Sequence, residues 1–331
     1  MFGWYDEDDH QWQAWVGVAV AVTGGLILRQ KRRPSRTREL STQHFCVTGS
    51  SCGIGEAVVK ELVQRGAGSV VLAVRNEHRG AQIVKELREL YGISTEELSV
   101  VGLDLLSVES CRDFKKNAAV RDGPLSKMTC LINNAGAMFP AYKVSDKSVE
   151  DTMMTNFLGP LYITKALLPT LRRNASPGSP SRVICTGSKL EKRSTLESGT
   201  KEDDVRGLTN EYKLFQAYAN SKHALHLCTD ALITEEKEIV CHTCSPGMVN
   251  SRLNRFANPA LLFFSWPLRK LLLKTPEQGA KSLVWAATSR EAGEASQPKF
   301  YDSNQPLPGG GFGETRGAST EKGLGRRVLS Q

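Results

Sequence analysis

Tyr218, Ala219, Asn220, Ser221 and Lys222 place a phenol and an ammonium four residues apart, hence on one face of a helix. A free tyrosine has a pKa of about 10 and exchanges protons poorly at neutral pH without help. A lysine charge beside it stabilises the phenolate and lowers that pKa, while the lysine's own donors can hold a ribose. Such pairs arise often by chance on helix surfaces, so this one takes its meaning from the motifs around it.

The first of these is a glycine-rich turn, Thr48, Gly49, Ser50, Ser51, Cys52, Gly53, Ile54, Gly55. Glycines at that spacing let the backbone turn tightly, approach a pyrophosphate and open a helix whose N-terminus faces the phosphates. Gly49, Ser51, Cys52, Gly53, Ile54 and Gly55 are therefore candidate cofactor contacts. At the next strand end, where an acidic side chain would bond ribose hydroxyls, the chain has Arg75. A guanidinium fits a 2′-phosphate by charge and by bidentate geometry, so the residues favour NADP(H) over NAD(H). Asp104, one strand later, either accepts a bond from the adenine amine or caps the helix that follows.

The elements that must hold these groups are legible in the alternation of short β-rich runs with longer helical patterns from His44 onward. Strands are expected at His44 to Thr48, Ser69 to Val74, Leu98 to Leu103, Met128 to Ile132, Arg182 to Cys185 and Ile239 to Cys244. Helices are expected from about Ile54 to Arg65, from about His78 to Leu90, through Asn156 to Leu171, and around Tyr218 and Lys222. This order predicts an α/β fold, a Rossmann-type doubly wound parallel sheet in one domain.

With 331 residues and 40% hydrophobic content the chain can bury one sizeable core. The net charge of +8 lacks any groove-reading motif, so no nucleic-acid partner is expected. The eight cysteines are scattered, several within apolar strands, and read as free thiols behaving as small hydrophobes. Cys241 and Cys244 form a lone CxxC without a second pair or suitably spaced histidines, so no metal is expected.

Residues Trp12 to Leu28 form a nearly uncharged run between acidic Asp6, Glu7, Asp8, Asp9 and a basic cluster, Arg29, Lys31, Arg32, Arg33, Arg36 and Arg38. This predicts a membrane-anchor helix in contact with lipid, spanning the bilayer or lying in its interface, with the domain on the cytoplasmic side. The expected division is an acidic N-terminus at 1–11, the anchor at 12–28, a basic linker at 29–41, a folded domain at 42–302 and a disordered tail at 303–331.

TGSSCGIG at 48–55, Asn133, Asn134, Ala135, Gly136, then Asn156, Ser188, the Tyr218/Lys222 pair, and Ser245, Pro246, Gly247 follow one another in that order. This set resembles the short-chain dehydrogenase/reductase family over roughly residues 42 to 302. The resemblance implies that Tyr218 is the general acid/base and that Lys222 is its electrostatic partner and ribose ligand. It also implies that Ser188 bonds the substrate oxygen, and that Asn156 holds a helix kink and the water of a proton relay. Asn134, Ala135 and Gly136 would flank the cofactor, with Pro246, Gly247, Val249 and Ser251 in the loop beside the nicotinamide amide. Ser181 and Ser194 compete with Ser188 but do not sit just past a strand.

Within the family the chain is similar to the microsomal retinol dehydrogenase group, through VLAVRN at 71–76, NFLGPLYIT at 156–164, AYANSKHAL at 217–225 and KTPEQGA at 274–280. That likeness implies a small lipophilic substrate, a retinoid, steroid or fatty aldehyde or the matching alcohol. The endoplasmic reticulum membrane is the expected location for an anchor of this kind, with a lipid droplet or the outer mitochondrial membrane as alternatives, and a homodimer is left open. The apolar text at 258–273 reads either as a lid or bilayer-dipping surface or as a buried helix pair. The charged segment Lys189 to Phe215 is longer than a compact member needs. The rival reading is a nucleotide-binding scaffold with little turnover, disfavoured because no member of the Asn/Ser/Tyr/Lys set is missing.

Overall fold

The run HFCVT at His44–Thr48 forms strand β1, and its alternation decides which core each side chain joins. Phe45 and Val47 point to one face of the sheet and Cys46 to the other, where they enter two separate hydrophobic clusters. Burial on both faces is why the strands read as continuous apolar runs rather than as alternating ones. The computed structural model describes residues 36–116, 123–145, 148–197, 201–209, 211–236, 238–250, 273–295, 299–306 and 312–314.

Around β1 lie β2 (Ser69–Val74), β3 (Leu98–Gly102), β4 (Cys130–Asn133), β7 (Ser181–Thr186), β8 (Ile239–Ser245), β9 (Lys299–Pro306) and β10 (Phe312–Glu314). Their order in the sheet is β10-β9-β8-β7-β4-β1-β2-β3, parallel from β9 to β3, with β10 antiparallel at the edge. A small hairpin of β5 (Val144–Ser145) and β6 (Val149–Glu150) stands apart. Helices α1 (Gly53–Gln64) and α2 (Glu77–Tyr91) cover one face. The other face carries α3 (Val108–Asp113), a continuous segment of α4 (Asp151–Met153), a π-helical turn (Met154–Leu158) and α5 (Gly159–Asn174), and then α6 (Leu214–Glu235). Helix α7 (Pro276–Thr288) returns to the first face, opened by a capping box between Thr275 and Gln278. This is the doubly wound arrangement read from the sequence. The direction of strand order reverses at β1 and β4, where such sheets open a crevice beyond their strand ends.

Several boundaries differ from expectation. The folded domain starts before 42: Arg36 donates to the carbonyls of Val63 and Ala67 and pairs with Glu97, and Leu40 is buried. The end of the expected basic linker is thus part of the fold, because its arginine reaches carbonyls at the end of α1. Nor does the fold stop at 302. β9 runs on to Pro306 and Phe312–Glu314 pair with it, since the edge of β9 offers backbone donors and acceptors that a returning segment can satisfy. The fourth strand begins at Cys130 rather than Met128, because Pro124–Lys127 form a 3₁₀ turn whose last bond is donated by Met128.

All eight cysteines are free thiols, seven of them buried. Cys241 and Cys244 belong to opposite core clusters, so the CxxC does not converge on one point. Among the described residues no helix is long and apolar enough to cross a membrane. The Trp12 to Leu28 anchor, the 258–272 part of the apolar segment, and 315–331 of the expected tail lie outside the described residues.

Candidate active site

At the end of β1 the chain turns through Gly49 (φ 64°) and Gly53 (φ 61°), conformations that favour glycine. A Cβ on Gly49 would sit 2.7 Å from the Cα of Ala135, and one on Gly55 would lie 2.4 Å from Asn134 Nδ2. The turn is thus pressed against the end of β4. Thr48 Oγ1 accepts from the amides of Asn134 (3.1 Å) and Ala135 (3.0 Å), and Asn134 Nδ2 donates back to the Thr48 carbonyl (2.9 Å). Asn134 therefore acts as a stitch that shapes the turn, with its Nδ2 donating to protein carbonyls. The N-cap of α1, Cys52, makes no side-chain bond to the first helical amides, and this 12-residue helix opens onto the cavity. Uncapped amides beside a cradle that a methyl group would fill fit a bound pyrophosphate.

The cavity has a volume of about 860 Å³ and lies over the crevice predicted by the strand order. Gly49, Ser51, Cys52, Gly53, Ile54, Gly55, Arg75, Asp104, Asn134, Ala135, Gly136, Ser188, Tyr218, Lys222, Pro246, Gly247 and Val249 all line it. Ser251 lies outside the described residues. Arg75 is exposed at the end of β2, and the helix cap there is Asn76, whose side chain accepts from Arg79 N. Helix α3 is capped by Ser107, while Asp104 Oδ1 accepts from Leu106 N, so the capping alternative for Asp104 does not hold.

Asn156 does not line the cavity. It sits in the π-helical turn, fully buried, where its Oδ1 accepts from Ala137 N (2.8 Å) and its Nδ2 donates to the Ala137 carbonyl (2.9 Å) and to Ser221 Oγ (3.0 Å). Through these bonds it fastens the strand-end after β4 to helix α6.

Helix α6 brings Tyr218 and Lys222 to the cavity wall at 6% and 2% exposure. Burial pushes the Tyr218 phenol up to about 12, opposed by a hydrogen bond with Ser188. Lys222 is held down to about 8 by burial, with Cys185 and then Glu191 acting the other way. The expected lowering of the tyrosine by the lysine is therefore not the dominant effect here. The Lys222 ammonium lies 5.7 Å from the phenol ring centroid and donates to the Thr186 carbonyl (2.8 Å), while burial penalises the phenolate. A phenol raised in this way keeps its proton at neutral pH.

Ser188 lies two residues past the end of β7, and its hydroxyl both meets Tyr218 and accepts from Leu190 N (3.2 Å). Of its competitors, Ser194 is bonded to Asn220 and Ser181 is buried at the start of β7; neither lines the cavity. The charged stretch after Ser188 is packed rather than merely solvated. Lys189 pairs with the buried Asp302, Glu191 with His226, and Leu196 and Val205 enter the core.

Several wall residues escape a reading of the sequence. Thr48 looks there like ordinary turn text, although a hydroxyl at a strand end facing two amides is a recognisable stitch. Phe215 and Met248 line the cavity yet are 64% and 69% exposed. Phe215 lies three residues before Tyr218, and that spacing alone places it on the same helix face.

A family model described as short chain dehydrogenase matches residues 43–197. The polyprenol dehydrogenase of Mus musculus is 33% identical over 287 residues, covering 83% of this chain and 81% of that protein. Retinol dehydrogenase 11 of Mus musculus is 31% identical over 260 residues, covering 77% of this chain and 76% of that protein. Among solved structures, the Pseudomonas aeruginosa RhlG/NADP active-site complex matches with a TM-score of 0.60 at 25% identity, over 79% of this chain and 95% of that one. Identity of 33% sustained over 287 residues extends far past the glycine turn and the Tyr218 helix, and on that ground the chain belongs to the short-chain dehydrogenase/reductase family of oxidoreductases.

Proposed function

We propose that this protein is an NADP(H)-dependent oxidoreductase that interconverts a lipophilic alcohol and its aldehyde or ketone. The observation that carries the reading is a single cavity with Ser188, Tyr218 and Lys222 on its wall, a glycine cradle at one part and exposed Phe215 and Met248 at another. The apolar rim suits a lipophile, and the relatives named polyprenol dehydrogenase and retinol dehydrogenase 11 support that class. Arg75 on the wall supports the phosphorylated cofactor, as does the likeness to the RhlG/NADP complex.

The amides at the start of α1 and the glycine turn would hold the pyrophosphate, Arg75 the 2′-phosphate, and Lys222 the nicotinamide ribose. When bound, the cofactor supplies or accepts the hydride. Tyr218 donates its proton to the carbonyl oxygen in reduction and recovers it in oxidation, and Ser188 donates a hydrogen bond to the same oxygen. The charge on Lys222 steadies the phenolate left behind. Pro246, Gly247, Val249 and Ser251 belong to the loop proposed beside the nicotinamide. The apolar run at 12–28 and the basic residues after it support anchoring in the endoplasmic reticulum membrane with the domain in the cytosol.

The test is turnover by the membrane-bound full chain with all-trans-retinal, steroid ketones and fatty aldehydes, using NADPH and NADH in parallel. Faster turnover with NADPH on one of these classes supports the reading. Tight NADPH binding without turnover on any of them refutes it.

A further inference from the structure

The turn that carries Ser188 and the helix that carries Tyr218 and Lys222 are joined through a buried carboxyl–imidazole pair that the reaction itself does not use. Ser188 opens the 3₁₀ turn Lys189–Arg193, and its carbonyl accepts from the amide of Glu191 (3.0 Å). The Glu191 side chain is 1% exposed and its Oε1 lies 3.0 Å from Nδ1 of His226, itself 5% exposed. His226 stands one turn beyond Lys222 on α6, so the pair spans from the turn to the helix just behind the cavity wall. The other His226 nitrogen is 3.6 Å from Asp230 Oδ1, and the ring packs on Phe300 of β9 at 5.2 Å between centroids.

A carboxylate taken out of water costs several kcal/mol unless a partner and hydrogen bonds compensate it, and apolar residues of similar volume commonly pack as stably. Stability is therefore a weak reason for an acid in this place, and directional placement of the turn is a better one. We propose that the Glu191–His226 pair is a positioning device, holding Ser188 in reach of Tyr218 and keeping a carboxylate behind Lys222. This rests on the catalytic reading of Ser188, Tyr218 and Lys222 given above. Two further observations agree. Glu191 acts on Lys222 in the sense that favours its charged form. His226 is drawn down by burial but raised, on balance, by Glu191 and then Asp230, the charged groups that face it. A raised histidine favours the charged pair, which is fully present below the ordinary histidine value and is lost as pH rises through the folded one.

The experiment uses the full chain in detergent micelles, as wild type, Glu191→Gln, His226→Gln, the double variant and Tyr218→Phe. NADPH affinity is read by fluorescence, turnover across pH, and the His226 ring by NMR in the wild type. The expected result is unchanged NADPH affinity with kcat down about 10- to 100-fold in each single variant, the loss expected when reacting groups are held roughly 1 Å out of place. The double variant is expected to be no worse than either single one, because both remove the same pair. In Glu191→Gln the alkaline limb of the kcat profile moves to lower pH as Lys222 loses its carboxylate neighbour, a change that loosened packing alone would not produce. In the wild type, the ring stays protonated above the ordinary histidine range.

Single variants with wild-type kcat and pH profile, or losses that multiply in the double variant, overturn the proposal. So does a wild-type His226 that titrates at or below the ordinary histidine value, a result that requires no variant to fold. If Tyr218→Phe turns over like the wild type, the catalytic reading itself fails, and that outcome is recognised separately.

Discussion

Replacing Gly55 by alanine separates cofactor binding from folding more cleanly than any other change in the glycine turn. The position has ordinary helical backbone in α1, so no conformational strain is added, and alanine gains up to about 1 kcal/mol of helix propensity there. Against that, the new Cβ would meet Asn134 Nδ2 at 2.4 Å, the Gly49 carbonyl oxygen at 2.6 Å and Ser50 Cα at 2.9 Å. Overpacking of this kind costs about 1–3 kcal/mol, so the net loss of stability is roughly 0–2 kcal/mol and the fall in Tm only a few degrees. The seam between the turn and Asn134 must open, which moves the amides proposed to hold the pyrophosphate. Losing one charge-assisted bond of about 1.5–3 kcal/mol weakens NADPH binding by about 10- to 100-fold. Fluorescence titration with NADPH, alongside a thermal melt, reads both quantities. Gly178→Ala is the control: with φ 78° and nothing within 4 Å of its Cβ, it adds strain of about 1–2 kcal/mol far from the site and leaves NADPH affinity unaltered. Unchanged NADPH affinity in Gly55→Ala would refute the placement of the pyrophosphate on this turn.

Arg75→Glu removes the guanidinium from the end of β2 and adds a repelling charge, so kcat/KM with NADPH falls by at least about tenfold while that with NADH holds or rises. Equal losses with both cofactors would remove Arg75 from phosphate recognition. Asn156→Ala strands the buried Ala137 amide and carbonyl, each at about 1–3 kcal/mol, and a melt should show a Tm lower by several degrees or more. A shift within error would mean the π-helical turn does not depend on it. Lys222 has a folded pKa of about 8 against an ordinary 10.5, so between those values the unfolded chain binds more protons and the lysine's contribution makes stability rise with pH. In Lys222→Met, urea unfolding followed across that window should lose this rise; a slope equal to the wild type would contradict the buried, depressed lysine.

The elements most legible in the sequence are those whose pattern follows from local rules. The pattern places β2 at Ser69 to Val74 and the strand lies there, because a strand buried on both faces announces itself as an apolar run between turn residues. The glycine turn and the Tyr218/Lys222 pair are legible because each is a spacing within one turn or helix. What stays hidden depends on distant parts of the chain. The Glu191–His226 pair joins residues 35 apart, and nothing near either one marks the other. The β9 extension to Pro306 and the pairing of Phe312–Glu314 depend on a sheet edge, whereas the tail's composition averages over the whole segment. The upward shift of Tyr218 follows from its burial, a property of the assembled wall that adjacent residues do not encode.

Hydride transfer paired with proton donation by Tyr218 is tested most directly by single-turnover deuterium transfer, from NADPH carrying the label at the transferable C4 position to a lipophilic aldehyde substrate, in wild type and Tyr218→Phe. The wild-type product is expected to carry a deuterium at the carbinol carbon, and none is expected to form in the variant although it binds NADPH as tightly. Label transferred at the same rate in Tyr218→Phe, or wild-type protein that binds NADPH and transfers no label to any lipophilic carbonyl, would contradict that pairing.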